Sequence, residues 1–271
     1  MIKSAVTISL VPEARGGPFV FWDDVAEGCR RAATLGFDGV EVFAPSPDVL
    51  RLEETYPVLE RNGARLAAVG SGAGWIKHRL TLTDRSRLTR EQATEFIQRL
   101  IDAAGRLDAP VIIGSMQGRS GGDVTADVAF GWLRQALSLL GQYARQYGVP
   151  VLFEPLNRYE TNLVNSLDRG AQLVQSLQSD NVKLLADLFH MNIEEADMAS
   201  SIRAAGNLIG HVHFADSNRR PAGMGHSDFA PVVAALRDIG YEGYVSAECL
   251  PYPDPDAAAR QTIESFRRLF K

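Results

Sequence analysis

The sequence reads as an α/β protein whose eight strand–helix units close into one (β/α)8 TIM barrel, and three features point that way. Short runs rich in Val, Ile and Leu alternate with longer amphipathic stretches along the chain. Leu/Ile-Gly pairs, such as Leu35-Gly36 and Ile239-Gly240, close stretches of this kind just before the next apolar run, as left-handed C-caps do. The length, 271 residues, suits a barrel of about 250 residues. Repeated strand–helix–strand order implies parallel pairing, and closure removes the edges an open sheet would leave.

The run Ala5-Val6-Thr7-Ile8 opens the series, because β-branched side chains favour the extended chain. An amphipathic helix over 23–35 follows and ends at Gly36. Strands at 39–43 and 65–69 bracket a less regular helical stretch at 47–61. After the third strand comes Gly70-Ser71-Gly72-Ala73-Gly74, which invites a nucleotide reading. It lacks the six-residue dinucleotide fingerprint, and the continuation Trp75-Ile76-Lys77 is not expected to open a helix at once. Helices at 89–106, 127–147 and 167–177 alternate with strands at 110–114, 150–154 and 182–186. The stretch from Gly118 to Gly122 reads as a mobile loop at a strand end. Helices at 196–205, 229–239 and 256–270 accompany the last strands, 210–214 and 244–248. No linker or shift in composition divides the chain, so residues 1–271 are expected to form a single domain.

Composition narrows the function. The formal net charge is −5, which argues against nucleic acid as the main partner, since that affinity comes largely from cations on phosphates. No basic amphipathic helix and no apolar run of about 20 residues suggests a membrane partner. The N-terminus carries no secretory pattern, so a cytoplasmic protein is expected. Cys29 and Cys249 read as two small buried apolar residues rather than a disulfide. No Gly-x-Ser-x-Gly elbow or Walker loop is present.

Active sites of such barrels lie at the C-terminal ends of the strands. The last four strands each offer one polar residue there: Glu154, Asp187, His213 and Glu248, spaced by about one β/α unit. Three carboxylates so close would repel and raise at least one pKa, and one divalent ion resolves the repulsion. The hard, oxygen-rich set suits Mn²⁺ or Mg²⁺, and Co²⁺ would also fit. His211 shares the inner face of its strand with His213 but lies deeper, as a structural histidine. His190 is expected on the lip, within reach of a substrate hydroxyl, and Arg219 at the open end of the site. Gln117, Arg119 and Trp75 follow the fourth and third strands as further candidates for substrate contact, while His226 reads as a loop residue.

Three segments then resemble a known group. Glu154-Pro155-Leu156-Asn157-Arg158-Tyr159-Glu160, Asp187-Leu188-Phe189-His190-Met191-Asn192 and Gly210-His211-Val212-His213, with Asn218-Arg219 beyond, are similar to motifs of the D-tagatose 3-epimerase family within the xylose-isomerase-like barrels. The likeness is dense over the C-terminal half. It implies that Glu154, Asp187, His213 and Glu248 bind the metal, that Glu154 and Glu248 double as the acid/base pair, and that His190, Arg219 and Glu160 surround the substrate. Leu188 stands where a threonine is common, and the segment from Phe214 to Ser217 lacks a usual Gly-Glu. The string from His213 to Arg219 is nearer to 5-keto-L-gluconate epimerase-like members.

The chemistry that follows is proton transfer on the carbon next to a carbonyl, through an enediolate, in a ketose or keto-sugar acid. Epimerisation needs carboxylates on both faces of the plane, and Glu154 and Glu248 from separate strands could provide them. The main alternative is a metal-dependent dehydratase of a keto-cyclitol or dehydroshikimate-like compound, which would use the same enediolate and then expel a hydroxyl. An apurinic-site endonuclease would need more than five histidines and a basic groove. A non-catalytic sugar binder would have little reason to keep three clustered carboxylates. A homo-oligomer is compatible with all of these readings.

Overall fold

The computed structural model describes residues 1–271 and contains one parallel sheet closed on itself. Its strands are β1 (Lys3–Ser9), β2 (Phe21–Trp22), β3 (Gly39–Phe43), β4 (Arg65–Gly70), β5 (Val111–Ile113), β6 (Val151–Phe153), β7 (Val182–Asp187), β8 (Ile209–His213) and β9 (Tyr244–Ala247). The two-residue β2 pairs only with the end of β1, and the other eight make the barrel. The ring closes where Ala5 of β1 faces Ser246 of β9. Every pair is parallel, which is what a strand–helix repeat enforces.

Ten helices surround or cap the ring: α1 (Val25–Leu35), α2 (Leu52–Arg61), α3 (Ala73–His78), α4 (Arg87–Gly105), α5 (Ala126–Ala144), α6 (Leu167–Gln175), α7 (Leu188–Glu194), α8 (Met198–Ala205), α9 (Ala230–Asp238) and α10 (Pro255–Phe270). Their starts are chemically marked. Asp24, Ser86, Thr125, Ser166, Asp197 and Asp254 each accept a backbone N–H of the first turn. Gly36 ends α1 in the left-handed region at φ 84°, a conformation glycine adopts without penalty. No helix is long and apolar enough to cross a membrane. Cys29 and Cys249 are both buried and unpaired.

The eight expected strands coincide with the eight of the barrel, but α3 and α7 were not anticipated. The glycine-rich stretch after β4 opens α3 at Ala73, contrary to expectation, and Trp75 sits on that helix rather than on a loop. Its glycines answer a packing demand: a Cβ at Gly70 or Gly72 would lie 2.7 or 2.8 Å from the ring of Phe43. The segment 47–61 is a short 3-10 turn at Pro47–Val49 followed by α2.

Two apolar layers result. Outward residues such as Val40, Val69, Phe153 and Leu184 pack beneath the helices, with Ile97 and Leu133 among their partners. Inside the ring, Ala68, Ile112, Leu152 and Leu185 form a separate plug, which makes the barrel interior a solid floor. Leu152 is fully buried in that floor, so Leu152→Ala should lower stability by about 2–5 kcal/mol. A urea denaturation midpoint equal to that of the wild type would contradict this account of the plug.

Candidate active site

Side chains alternate along a strand, so a residue two places beyond an inward side chain also faces inward. Two places beyond Leu152, Leu185, His211 and Ser246 stand Glu154, Asp187, His213 and Glu248, each at or just past its strand's end. Neighbouring strands bring them together: one ligand atom from each lies within 4.8 Å of the others. His213 Nδ1 is 3.3 Å from Glu154 Oε1, 3.1 Å from Asp187 Oδ2 and 3.2 Å from Glu248 Oε2. Glu154, Asp187 and His213 are buried, and Oε1 of Glu154 has no hydrogen-bond partner. A buried, unpartnered carboxylate oxygen beside two other carboxylates and an imidazole nitrogen fits a divalent ion.

Each group is held from behind. Asp187 Oδ1 caps α7 by accepting the N–H groups of Phe189 and His190 at 2.8 and 3.1 Å, which leaves Oδ2 for the site. Glu154 has room because residue 114 is glycine, where a Cβ would come within 2.3 Å of Oε2. Gln117 donates to the Glu154 carbonyl at 3.1 Å and is fully buried. It is not among the residues that line the cavity and supports the Glu154 backbone from behind.

Arg219 is nine-tenths buried. Instead of standing at the open end of the site, it donates to Asp187 Oδ2 at 2.7 Å and pairs with Glu248, with its guanidinium 4.8 Å from the Phe189 ring centre. It reaches there from a loop organised by Asp216, a fully buried residue that sequence reasoning passed over. Asp216 accepts backbone N–H groups of Ser217, Gly223 and Ser227 at 2.8, 2.8 and 3.0 Å. His226, as expected, lies on this loop, beside Ser217 Oγ at 2.8 Å.

His190 lies on α7 with its Nδ1 2.7 Å from Asn157 Nδ2. An amide nitrogen can only donate, so Nδ1 accepts and the N–H is on Nε2. That atom is 3.9 Å from both Glu154 Oε1 and Asp187 Oδ2. Asn157 also donates to Glu160 Oε1 at 3.0 Å. Above the cluster opens a cavity of about 920 Å³. Trp75, Arg119, Glu160, His190, Arg219 and Glu248 are on its lining, and Phe19 stacks on Phe43 at 4.6 Å in its wall.

The crowding shifts the titration of the site. Burial pushes the Glu154 carboxyl up to about 8, with Glu248 and Asp187 adding to the rise against the pull of His213. Burial also works against Asp187, yet Arg219, His190 and His213 outweigh it and hold that carboxyl well below the usual range. Burial lowers His190. It would lower His213 as well, but the surrounding carboxylates, Glu248 and Glu41 foremost, raise it well above the usual imidazole value.

Glu41, on β3, escaped sequence reasoning altogether. It reaches across the barrel, with Oε2 2.9 Å from His211 Nε2 and Oε1 3.2 Å from His213 Nε2. The one available signal was a lone acid inside the apolar run Gly39-Val40-Glu41-Val42-Phe43.

Comparison with known proteins gives a consistent result. The family model described as xylose isomerase-like TIM barrel matches residues 29–269. D-psicose 3-epimerase of Agrobacterium fabrum is 31% identical over 242 residues, which cover 87% of this chain and 79% of that protein. The 3-dehydro-D-guloside 4-epimerase of Escherichia coli is 29% identical, with 91% and 95% covered. Among solved structures, D-psicose 3-epimerase with D-tagatose from Clostridium cellulolyticum H10 superposes with a TM-score of 0.82 at 24% identity, covering 99% of both chains, which bears on the fold alone.

A carboxyl whose folded pKa is raised contributes stability that is complete below its unfolded pKa and lost as pH rises through the folded value. Without metal, the wild type should therefore lose stability relative to Glu154→Gln as pH rises from about 4.5 to about 8. Urea midpoints in EDTA across that window measure this, and parallel pH curves for the two proteins would refute it.

Proposed function

The chain belongs to the xylose isomerase-like TIM barrel family, and from that premise we propose that it is a metal-dependent sugar epimerase acting on a ketose or keto-sugar acid, with 3-epimerisation favoured. The observation that carries this reading is the convergence of Glu154, Asp187, His213 and Glu248 on one point at the floor of the cavity. The epimerase relatives on ketoses and a keto-guloside support it.

A divalent ion held by these four residues, Mn²⁺ or Mg²⁺ by the hardness of the set, would polarise the substrate carbonyl and stabilise negative charge developing on its oxygen. Glu154 and Glu248 come from the outer two of four adjacent strands and flank Asp187 and His213. That separation suits one carboxylate to take the proton from the carbon next to the carbonyl and the other to return one to the opposite face. Proton transfer by positioned carboxyl groups contributes roughly 10² to 10⁴ in rate. The Nε2–H of His190 is turned toward the cluster and suits a hydrogen bond to a substrate hydroxyl. Arg219 holds Asp187 and Glu248 in place, while Glu160 and Trp75 stand along the cavity where the rest of a sugar would lie. No observation favours the dehydratase alternative.

The test is a panel of ketoses and keto-sugar acids with Mn²⁺, Mg²⁺ or Co²⁺, followed by proton NMR in D₂O. Deuterium should enter at the carbon next to the carbonyl, together with the inverted product. Glu248→Gln should lower this exchange by at least about 10². Exchange at the wild-type rate in that variant would remove Glu248 from the pair, and loss of water with a new ultraviolet chromophore would mark a dehydratase instead.

A further inference from the structure

We propose that Glu41 is a positioning residue for the metal centre: it fixes which nitrogen of His213 faces the ion, while His211 satisfies its second oxygen. The inference rests on the metal reading above. Glu41 is 3% exposed and faces the barrel interior from β3, in register with Ala68 of β4. Strand β3 is not a neighbour of β8, so the contact with His211 and His213 spans the ring. No lysine or arginine pairs with Glu41, and its two oxygens each meet one imidazole, at 2.9 Å for His211 and 3.2 Å for His213.

An ionised carboxylate only accepts hydrogen bonds, so the ring nitrogen facing each oxygen must carry a hydrogen. For His213 that nitrogen is Nε2. The opposite nitrogen, Nδ1, is the one among Glu154, Asp187 and Glu248. With Nε2–H tied to Glu41, Nδ1 can present its lone pair to an ion, whereas the other tautomer would point a hydrogen at it. His211 is not one of the four clustered residues but groups with Glu41 and His213, and its N–H satisfies the second oxygen of Glu41. The His211 and His213 rings are 5.6 Å apart and 87° to one another, which lets both reach one carboxylate.

Replacing Glu41 by glutamine makes the role visible, because an amide has one acceptor atom and two donor hydrogens. Facing two N–H groups, the substituted amide can satisfy only one, and its NH₂ drives the other ring toward the wrong tautomer. Manganese affinity, read from free Mn²⁺ by electron paramagnetic resonance, should fall about 10–100-fold in Glu41→Gln. The ¹⁵N shifts of His213 should show a loss of the Nε2–H form. Removing the competing donor should restore much of that affinity, so Glu41→Gln combined with His211→Leu should bind Mn²⁺ more tightly than Glu41→Gln alone. His211→Leu by itself leaves Glu41 free for His213 and should stay within about threefold of wild type, a measurement that stands even if Glu41→Gln fails to fold.

Wild-type affinity in Glu41→Gln, or no recovery in the double variant, would overturn the assignment and leave Glu41 a packing residue. A tenfold loss in His211→Leu alone would do the same. A wild-type protein that takes up no Mn²⁺ would overturn the metal reading itself, which is a different and separately visible failure.

Discussion

Three carboxyl groups gathered at one rim of the barrel are the constraint around which the rest of the site is arranged. Glu154, Asp187 and Glu248 come within 4.8 Å of one another, the first two buried and the third on the cavity lining. Ionised carboxylates at that spacing repel, and burial sharpens the repulsion. The protein offsets it locally in three ways: Arg219 donates to Asp187 and pairs with Glu248, His213 favours its protonated form, and Glu154 favours its neutral one. All three are replaceable by a dication, which explains why an arrangement costly on its own suits a metal centre.

The remainder of the architecture holds that crowding in shape. The parallel ring supplies direction, since alternation puts every second side chain of adjacent strands on the inner face. The plug of Leu152, Leu185 and their neighbours closes the interior directly below the acids. Gly114 leaves space for the Glu154 carboxylate, Asp187 spends its second oxygen on capping α7, and Asp216 ties down the loop that delivers Arg219. Buried carboxylates serve at two of these points, Asp187 and Asp216, because a charged acceptor can hold several backbone N–H groups at once, and such bonds are stronger than neutral ones.

How much of this could be read from the sequence depended on the range of the interaction. The barrel was legible because its signal is repetitive, an apolar run followed by an amphipathic stretch. The three acids and the imidazole of the cluster were legible because strand ends are local features, so Glu154, Asp187, His213 and Glu248 could be picked out one at a time. Glu41 was not, for its partners lie 170 and 172 residues away across the ring, and nothing in Gly39-Val40-Glu41-Val42-Phe43 announces them. Short α3 and α7 were hidden too: one starts in a glycine-rich stretch and the other is capped by a residue already assigned to the site. Gln117 lies at the expected strand end, but its turn toward the Glu154 backbone is a matter of side-chain direction in a 3-10 turn that periodicity does not resolve.

The surroundings of Glu154 and Glu248 differ, and that difference bears on what the pair can do. Glu154 is enclosed, with one oxygen lacking any partner, and without an ion its environment favours the protonated form. Glu248 is more exposed, lines the cavity and is ion-paired with Arg219. Inversion at a carbon needs two groups in complementary states at the same moment, one ready to accept a proton and one holding a proton to give. In the proposed reaction the two carboxyls would differ in access, Glu154 being buried and Glu248 partly exposed. On the proposed mechanism, the side on which the enediolate receives its proton would depend on how the substrate is presented between the two. His190 on α7 and Arg219 on the Asp216 loop, which line the cavity beside the pair, are fixed by hydrogen bonds to Asn157 and Asp187. On that reading substrate choice belongs to the loops and stereochemical outcome to the strand ends of one rim.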